Sequence, residues 1–309
     1  MEKQELLKVE HLSISFEQYG KGLKKRNLPV IEDLNITVRA GEMTAVVGSS
    51  GSGKSLLAHG ILGLLPYNGR MSGKILYNGE ELTAKIREQT VGTEIVLVPQ
   101  SVSYLDPLMK VGDQVRNGDD SNRAKKKCSD LLQRYGLGTE TEEQYPFELS
   151  GGMIRRVLIS AALMENPRLI IADEPTPGLH LSAAKRVLGH FRELADQGAG
   201  VLLITHDLEL ALEAADRIAV FYAGTTVEEM PAGSFKCEKR LHHPYSKALY
   251  RAMPANGFQA LPGIQPYVTD RGRGCVFAER CSLADKGCYC EKTPVVNVED
   301  GWVRCRKGG

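Results

Sequence analysis

Long apolar stretches are missing from this sequence. The longest unbroken run, Ile218 to Ala223, is six residues, against the ~18–20 that a membrane-spanning helix requires. The start, MEKQELLKVE, has no basic patch leading into an apolar segment, so no secretory signal is expected. An excess of one charge is missing too, with 39 basic and 38 acidic side chains among 309 residues. Aromatics are scarce at 6%. With 25% charged residues and ordinary numbers of glycine and proline, collagen-like and wholly disordered chains are excluded. What remains is a soluble, intracellular chain, long enough for one large domain with an appendage or for two small ones.

The near-zero net charge conceals an asymmetry. Residues 232–309 carry 13 basic and 7 acidic side chains, the rest 26 and 31. Six of the seven cysteines (Cys237, Cys275, Cys281, Cys288, Cys290, Cys305) also fall in that last quarter. In an intracellular chain such clustering points to metal ligation or redox chemistry more than to disulfides. The basic excess alone says little about nucleic acid or membranes.

Leu7–Phe16 and Ile31–Val38 alternate as strands do, with Glu17–Leu28 between them reading as a Gly- and Lys-rich loop. Met43–Val47 is a short apolar strand that runs into a glycine-rich loop, and Leu56–Leu65 has helical composition. Lys74–Leu82 reads as a hairpin turning at Asn78-Gly79, and Glu94–Pro99 as a buried strand. Asp106–Glu148 has helical spacing (Leu131, Leu132, Tyr135, Leu137) and looks like a helical insert. Leu169–Ala172 and Val201–Thr205 are strand-like, each following a helical pattern (Met153–Glu165, Ala183–Ala195), and Ile218–Tyr222 closes the series. Helices alternating with doubly buried strands predict an α/β fold on a mostly parallel sheet. After Pro231 the alternation stops.

The sharpest motif is Gly48-Ser49-Ser50-Gly51-Ser52-Gly53-Lys54-Ser55, a phosphate-binding P-loop lying between a strand and a helix, where it must lie. Glycines let backbone N–H groups converge on phosphate oxygens at the positive end of the helix. Lys54 would reach the β- and γ-phosphates and Ser55 would ligate Mg²⁺. A chance match in a chain of this length has odds on the order of 1 in 100. Leu169-Ile170-Ile171-Ala172-Asp173-Glu174 delivers two carboxylates at a strand end: Asp173 to hold Mg²⁺, Glu174 to polarise an attacking water. Read alone, that pair is an acidic helix cap. Leu149-Ser150-Gly151-Gly152-Met153 opens a helix, either as an ordinary N-cap or as a second phosphate nest of N–H groups.

Together, at these spacings, the three motifs resemble the nucleotide-binding subunit of an ABC transporter over essentially the whole chain. The resemblance implies a P-loop ABC ATPase cassette (RecA-like core, antiparallel β subdomain, helical subdomain at about 101–165) over residues 1–231, and a short Cys-rich extension over 232–309. It implies ATP and Mg²⁺ as ligands, and assigns Gln100 to the Q-loop near Mg²⁺ and His206 to the switch histidine on the γ-phosphate. Phe16, or Tyr19, would be the aromatic that stacks on adenine. It also implies a partner cassette, with Ser150, Gly151 and Gly152 of one chain meeting ATP held by the other.

Two departures from the family pattern stand out. Met153 replaces the usual glutamine, as in the peptide and nickel importer branch. His180 ends Pro177-Gly178-Leu179-His180 where the family's D-loop usually has Asp, which makes a dimer with one slow site plausible. His243–Leu249, Leu261-Pro262-Gly263 and Gly274–Cys281 look like the tail of oligopeptide, dipeptide and nickel importer ATPases, some of which hold a [4Fe–4S] cluster there. The matching positions are Cys275, Cys281, Cys288 and Cys305, with Cys290 as a spare thiol. Zinc or simply free cysteines are the other readings. A tail with so few aliphatics should depend on a metal to fold.

The expected assembly is therefore an ATPase on the cytoplasmic face of the membrane. It would pair with a different cassette, two transmembrane permeases and, indirectly, an extracytoplasmic binding protein, to import peptides or nickel and other metal–ligand complexes. A soluble ABC ATPase acting on nucleic acid or ribosomes, or a non-hydrolysing regulatory cassette, would be the alternatives. Against the first stands the absence of a second cassette and of a strongly basic surface signal.

Overall fold

The structure, a computed structural model, describes residues 3–19, 25–49, 51–267 and 270–308. Two sheets organise it. The first is antiparallel: β1 (Glu5–Tyr19) lies between β2 (Lys25–Arg39) and β4 (Gly69–Tyr77), with the two-residue β5 (Glu80–Glu81) at its edge. The second has eight strands, and its parallel centre is β6 (Ile95–Val98), β7 (Leu169–Asp173), β8 (Gly200–Thr205), β3 (Glu42–Val47) and β9 (Arg217–Tyr222), in that order.

The central strands are apolar without interruption because both faces are covered. Their two-residue period splits each run between two cores. Met43, Ala45 and Val47 of β3 face one core with Ile170, Ala172, Val201 and Leu203. Val46, Leu169, Ile171, Leu202 and Ile204 face the other. Helices α5 (Gly151–Ala162), α6 (Leu181–Asp196) and α7 (Leu208–Ala214) cover the first face. Helix α1 (Lys54–Leu62) and the antiparallel sheet cover the second, where Leu57, Ala58 and Ile61 meet Leu12, Ile14, Ile31 and Ile36. A short α2 (Ala84–Thr90) follows β5, capped by the Thr83 hydroxyl. The predicted helical insert is present: α3 (Val111–Val115) and α4 (Asn122–Arg134) pack on α5 in a third core. Ala124, Cys128 and Leu132, one per turn, form the buried stripe of α4.

Two expectations need correction. Glu17–Leu28 is not all loop, because β1 runs on to Tyr19 and β2 starts at Lys25, paired as far as Tyr19↔Lys25. Cross-strand backbone bonding carries the hairpin past the point where apolar alternation fades. Nor does Ile218–Tyr222 close the sheet. The chain turns at Ala223-Gly224 into β10 (Thr225–Pro231), which pairs antiparallel with β9. The tail then returns through α8 (Pro244–Ala252) and α9 (Lys286–Cys290) to add the hairpin β11 (Val295–Val298)–β12 (Gly301–Arg304) beside β10. Two- to four-residue pairings on an exposed edge leave almost no periodic signal to read.

The tail also shares the cassette's core. Phe277 is fully buried and meets Tyr222 of β9 edge-to-face at 5.3 Å between ring centres, while Tyr245 of α8 lies 4.4 Å from Tyr222. Among the described residues no helix is long and apolar enough to cross a membrane.

Candidate nucleotide-binding site

The loop between β3 and α1 is forced into its path by glycines. A Cβ at Gly48 would lie 2.2 Å from the carbonyl oxygen of Phe221, so only glycine lets the loop start beside β9. Gly53 enters α1 at φ 102°, a left-handed conformation, and leaves the helix without a side-chain cap or an acidic residue in its first turn. The helix N–H groups are thus open to an anion. Ser52, itself buried, braces the loop by donating to the Ser49 carbonyl at 2.7 Å. Ser50 lies outside the described residues.

Lys54 is buried, and its Nζ donates to the carbonyls of Gly48 and Ser49, each at 2.9 Å, with Glu174 Oε1 4.0 Å away. Burial pushes its pKa down, while Glu174 and Asp173 pull it back up. The Ser55 hydroxyl donates to Asp173 Oδ1 at 3.1 Å. Two oxygens so spaced suit neighbouring positions in an octahedral shell with bonds of ~2.0–2.1 Å, directly or through water. Burial pushes the Asp173 pKa up, as does the Glu174 charge, against the Ser55 hydrogen bond. A divalent cation would relieve that buried pair of acids, so the donor set fits Mg²⁺ on this structure's own electrostatics.

Glu174 is buried at the end of β7 with a positive φ of 47°, a strained conformation for a residue with a Cβ. Its N–H donates to Ile204 O at 2.8 Å, and its carboxylate lies 2.8 Å from His206 Nδ1. The structure thus brings Lys54, Ser55, Asp173, Glu174 and His206 together. Gln100, the aromatics Phe16 and Tyr19, and Ser150–Gly152 make no direct hydrogen bond with them among the described residues. Gln100 follows β6, exposed, and among the described residues only its carbonyl is engaged. Phe16 is half-buried, packed beside the β1–β2–β4 core opposite Leu28 and Gly69, while Tyr19 is exposed. Ser150 caps α5, accepting from Met153 N at 3.3 Å, and no hydrogen bond joins it, Gly151 or Gly152 to the P-loop among the described residues. His180 is exposed at the N-cap of α6 and makes no capping bond there.

Sequence reasoning missed two residues. Arg155, buried on α5, donates through Nη1 to the Glu174 carbonyl and through Nη2 to the Gln100 carbonyl at 3.0 Å. It ties the helix behind Ser150 to both strand ends of the site. An arginine on the same helical face as Leu158 and Ile159 was the available signal. Gln265 of the tail accepts a hydrogen bond from the P-loop Ser49 hydroxyl at 2.6 Å, and no local pattern marks it.

All seven cysteines are free. Cys275, Cys281, Cys288 and Cys305 line one small apolar pocket with Phe277 and His243, whereas Cys290 and Cys237 are exposed outside it. The expected spare role of Cys290 is therefore not supported by position. Burial and the neighbouring thiols push the Cys275 and Cys305 pKa values up. Among the described residues no three His, Cys, Asp or Glu side chains are arranged to hold a single metal ion. The four thiols share an enclosure without closing into an ion's coordination shell.

With this geometry in view, the comparisons with known proteins agree. The model of the ABC transporter family matches residues 31–177, and that of the oligopeptide/dipeptide transporter C-terminal region matches 227–288. The dipeptide transport ATP-binding protein DppD of Escherichia coli (strain K12) is 35% identical over 96% of this chain and 94% of its own length. The oligopeptide transport ATP-binding protein OppD of Bacillus subtilis (strain 168) is 35% identical over 96% of this chain and 86% of its own. A solved ATP-binding subunit of an ABC transporter superposes with a TM-score of 0.60 at 26% identity, covering 75% of this chain and 92% of that one. The cassette MJ0796, in a dimeric post-hydrolysis state bound to ADP and Pi, matches in fold with a TM-score of 0.63 at 24% identity, over 74% of this chain and 99% of that one.

Proposed function

This chain belongs to the ATP-binding subunits of ABC transporters, the ATPases that energise import, and from that premise we propose that its cargo is peptide and that the buried cluster around Lys54 and Glu174 is its hydrolytic centre. Relatives named for dipeptide and oligopeptide transport favour peptides over nickel or metal complexes. ATP with Mg²⁺ is the substrate, and membrane permeases and a substrate-binding protein are the partners. Like the relatives named as transport ATP-binding proteins, the chain acts as a peripheral subunit held by its permeases at the cytoplasmic face.

The observation that carries the mechanism is one contiguous set of contacts: Lys54 beside Glu174, Glu174 beside His206, and Ser55 on Asp173. The open N-terminus of α1 and Lys54 bind and orient the β- and γ-phosphates. Ser55 and Asp173 hold Mg²⁺, which neutralises charge on the phosphate oxygens when bound. Glu174 takes the proton of a water whose oxygen attacks the γ-phosphorus. The bond to the β,γ-bridging oxygen breaks, leaving ADP and phosphate. His206, on the Glu174 carboxylate, fixes its orientation and reaches the departing γ-phosphate. Phe16 supplies the surface beside the adenine. Ser150, Gly151, Gly152 and Gln100 complete the site only when a second cassette closes on it, with Gln100 reporting to the permease.

The second cassette is a different chain, since His180 stands where an Asp would serve the opposite site. One experiment tests both points: ATP turnover of the assembled transporter carrying Glu174→Gln. Residual activity below about a tenth is expected, because the remaining site faces His180. About half remaining would remove the asymmetry, and unchanged turnover would remove Glu174 from the chemistry.

The tail's four thiols hold a [4Fe–4S] cluster in this reading. Ligands on one zinc at ~2.3 Å lie roughly 3.8 Å apart, whereas a cluster spreads its thiolates more widely. Four cysteines lining one small apolar pocket, in a tail that matches the importers' C-terminal region, are what supports this reading. Anaerobic protein should contain about four iron and four sulfide per chain, and Cys281→Ser should lose them. Protein free of both in the parent chain would end this reading.

A further inference from the structure

A cavity of about 470 Å³ opens where β2 and the β9–β10 turn meet the tail, and no P-loop residue borders it. Four basic side chains (Arg271, Arg273, Lys292, Arg304) line it against two acidic ones (Glu32, Asp33). Asp33 is fully engaged. Arg304 gives it Nη1 at 2.8 Å and takes its carbonyl with Nη2 at 2.6 Å, His11 lies 2.5 Å from it and Lys292 3.4 Å. Arg304 is engaged too, with its Nε on Thr226 O at 3.2 Å. Glu32 is therefore left as the one counter-charge in the lining for both Arg271 and Arg273.

Arg271 is badly satisfied for a buried cation. Its side chain is 5% exposed, yet of its five N–H donors those on Nη1 and Nη2 reach only the Val30 carbonyl, at 3.5 and 3.4 Å. Glu32, half exposed, is 3.7 Å away, and Nε has no hydrogen-bond partner among the described residues. Thr293, which lines the same cavity and is also buried, has an unpartnered hydroxyl. Arg273, exposed on the same lining, makes no ion pair among the described residues. Buried donors without acceptors are costly and rare in native proteins. Two of them in one basic cavity call for an acceptor that comes from outside the chain. The Nε–Nη edge of a guanidinium matches two oxygens of a carboxylate or phosphate, and the volume lies within the range of small-molecule sites.

We propose that this cavity is a binding site for a small metabolite bearing a phosphate or carboxylate group, whose oxyanion sits on Arg271 and the Thr293 hydroxyl with Arg273 beside it. The site is separate from the nucleotide centre, and its walls come half from the cassette and half from the tail. Val30, whose carbonyl holds Arg271, places its side chain 3.2 Å from a Cβ built at Gly53 of the P-loop. The cavity thus backs onto the loop that holds ATP.

The test uses the protein saturated with Mg²⁺ and a non-hydrolysable ATP analogue, so that the P-loop and its γ-phosphate position are filled and cannot take up the probe. Inorganic phosphate and citrate are titrated in separate arms by calorimetry. Saturable binding in at least one arm is expected, and the arm that saturates names the oxyanion. Arg271→Met should weaken it on the order of 10-fold or more, and Thr293→Val and Arg273→Ala by several-fold each, with affinity for the analogue unchanged. Without probe, Arg271→Met should melt no lower than the parent, because the buried guanidinium it removes has only the half-exposed Glu32, 3.7 Å away, as a counter-charge. The proposal is overturned if neither probe saturates below about 10 mM, if the variants bind as the parent does, or if Arg271→Met lowers the melting temperature as loss of a structural ion pair would.

Discussion

Arg155 offers the most direct test of how the hydrolytic cluster is held. Its guanidinium spans two carbonyls that follow two different strands, Glu174 after β7 and Gln100 after β6. Glu174 carries backbone strain at φ 47°, which costs roughly 1–3 kcal/mol and persists only while its surroundings enforce it. Apart from the Glu174 N–H to Ile204 O, Arg155 is the backbone tie that enforces it. Arg155→Met keeps the packing volume of the stem and deletes both hydrogen bonds. Each is worth about 1.5–3 kcal/mol with a charged donor, so a loss of about 3–6 kcal/mol is expected, seen as a melting temperature lower by about 6 °C or more. The Glu174 carboxylate should then relax off the water's line of attack, and a misplacement of about 1 Å costs ~10²-fold in rate. Lys54 and the α1 N-terminus do not contact Arg155, so nucleotide affinity should stay within about threefold. Turnover of the assembled transporter and equilibrium binding of a fluorescent ATP analogue read the two quantities separately. Arg155→Lys, a point donor in place of a fork, should fall between. A folded Arg155→Met variant whose turnover stays within about threefold of the parent would refute the reasoning, as would equal losses in binding and turnover.

Two further perturbations probe the tail. His243 is fully buried, and burial pushes its pKa down from 6.5 to about 3. The unfolded chain therefore binds a proton below pH 6.5 that the folded chain refuses, and stability falls as pH drops through the window from 6.5 to 3. At pH 5 the penalty is about 2 kcal/mol. His243→Asn, which keeps an acceptor for the Tyr245 N–H at the α8 cap, should show a denaturation curve that much less dependent on pH between 5 and 7; an unchanged dependence would clear His243 of the effect. Phe277→Ala empties the ring site against Tyr222 and Tyr245 and should cost about 3–5 kcal/mol. Limited proteolysis should then cut the tail first while ATP binding survives, and a tail as resistant as the parent's would show that the β10–β12 pairing alone holds it.

Much of this protein is legible in one dimension because its constraints are local. The Gly48–Ser55 loop must have glycines where the backbone meets Phe221 and turns left-handed at Gly53. The doubly buried strands must be apolar throughout, and Asp173-Glu174 must end one of them. Each of these is a short contiguous pattern, so motif, element and chemistry coincide in the sequence. The long-range couplings were not legible. Arg155 reads as one more residue of an amphipathic helix until the fold sets Gln100 and Glu174 beside it. The hairpin β11–β12 has too few residues for a period, and joins the sheet only because β10 offers an unpaired edge. Cys275, Cys281, Cys288 and Cys305 are singled out by the family resemblance with Cys290 as a spare, but only the fold shows those four around one pocket and Cys290 outside it. The Arg271 cavity combines residues about 240 positions apart in the chain, and its character lies in which donors lack partners, a quantity that exists only once all the partners are in place.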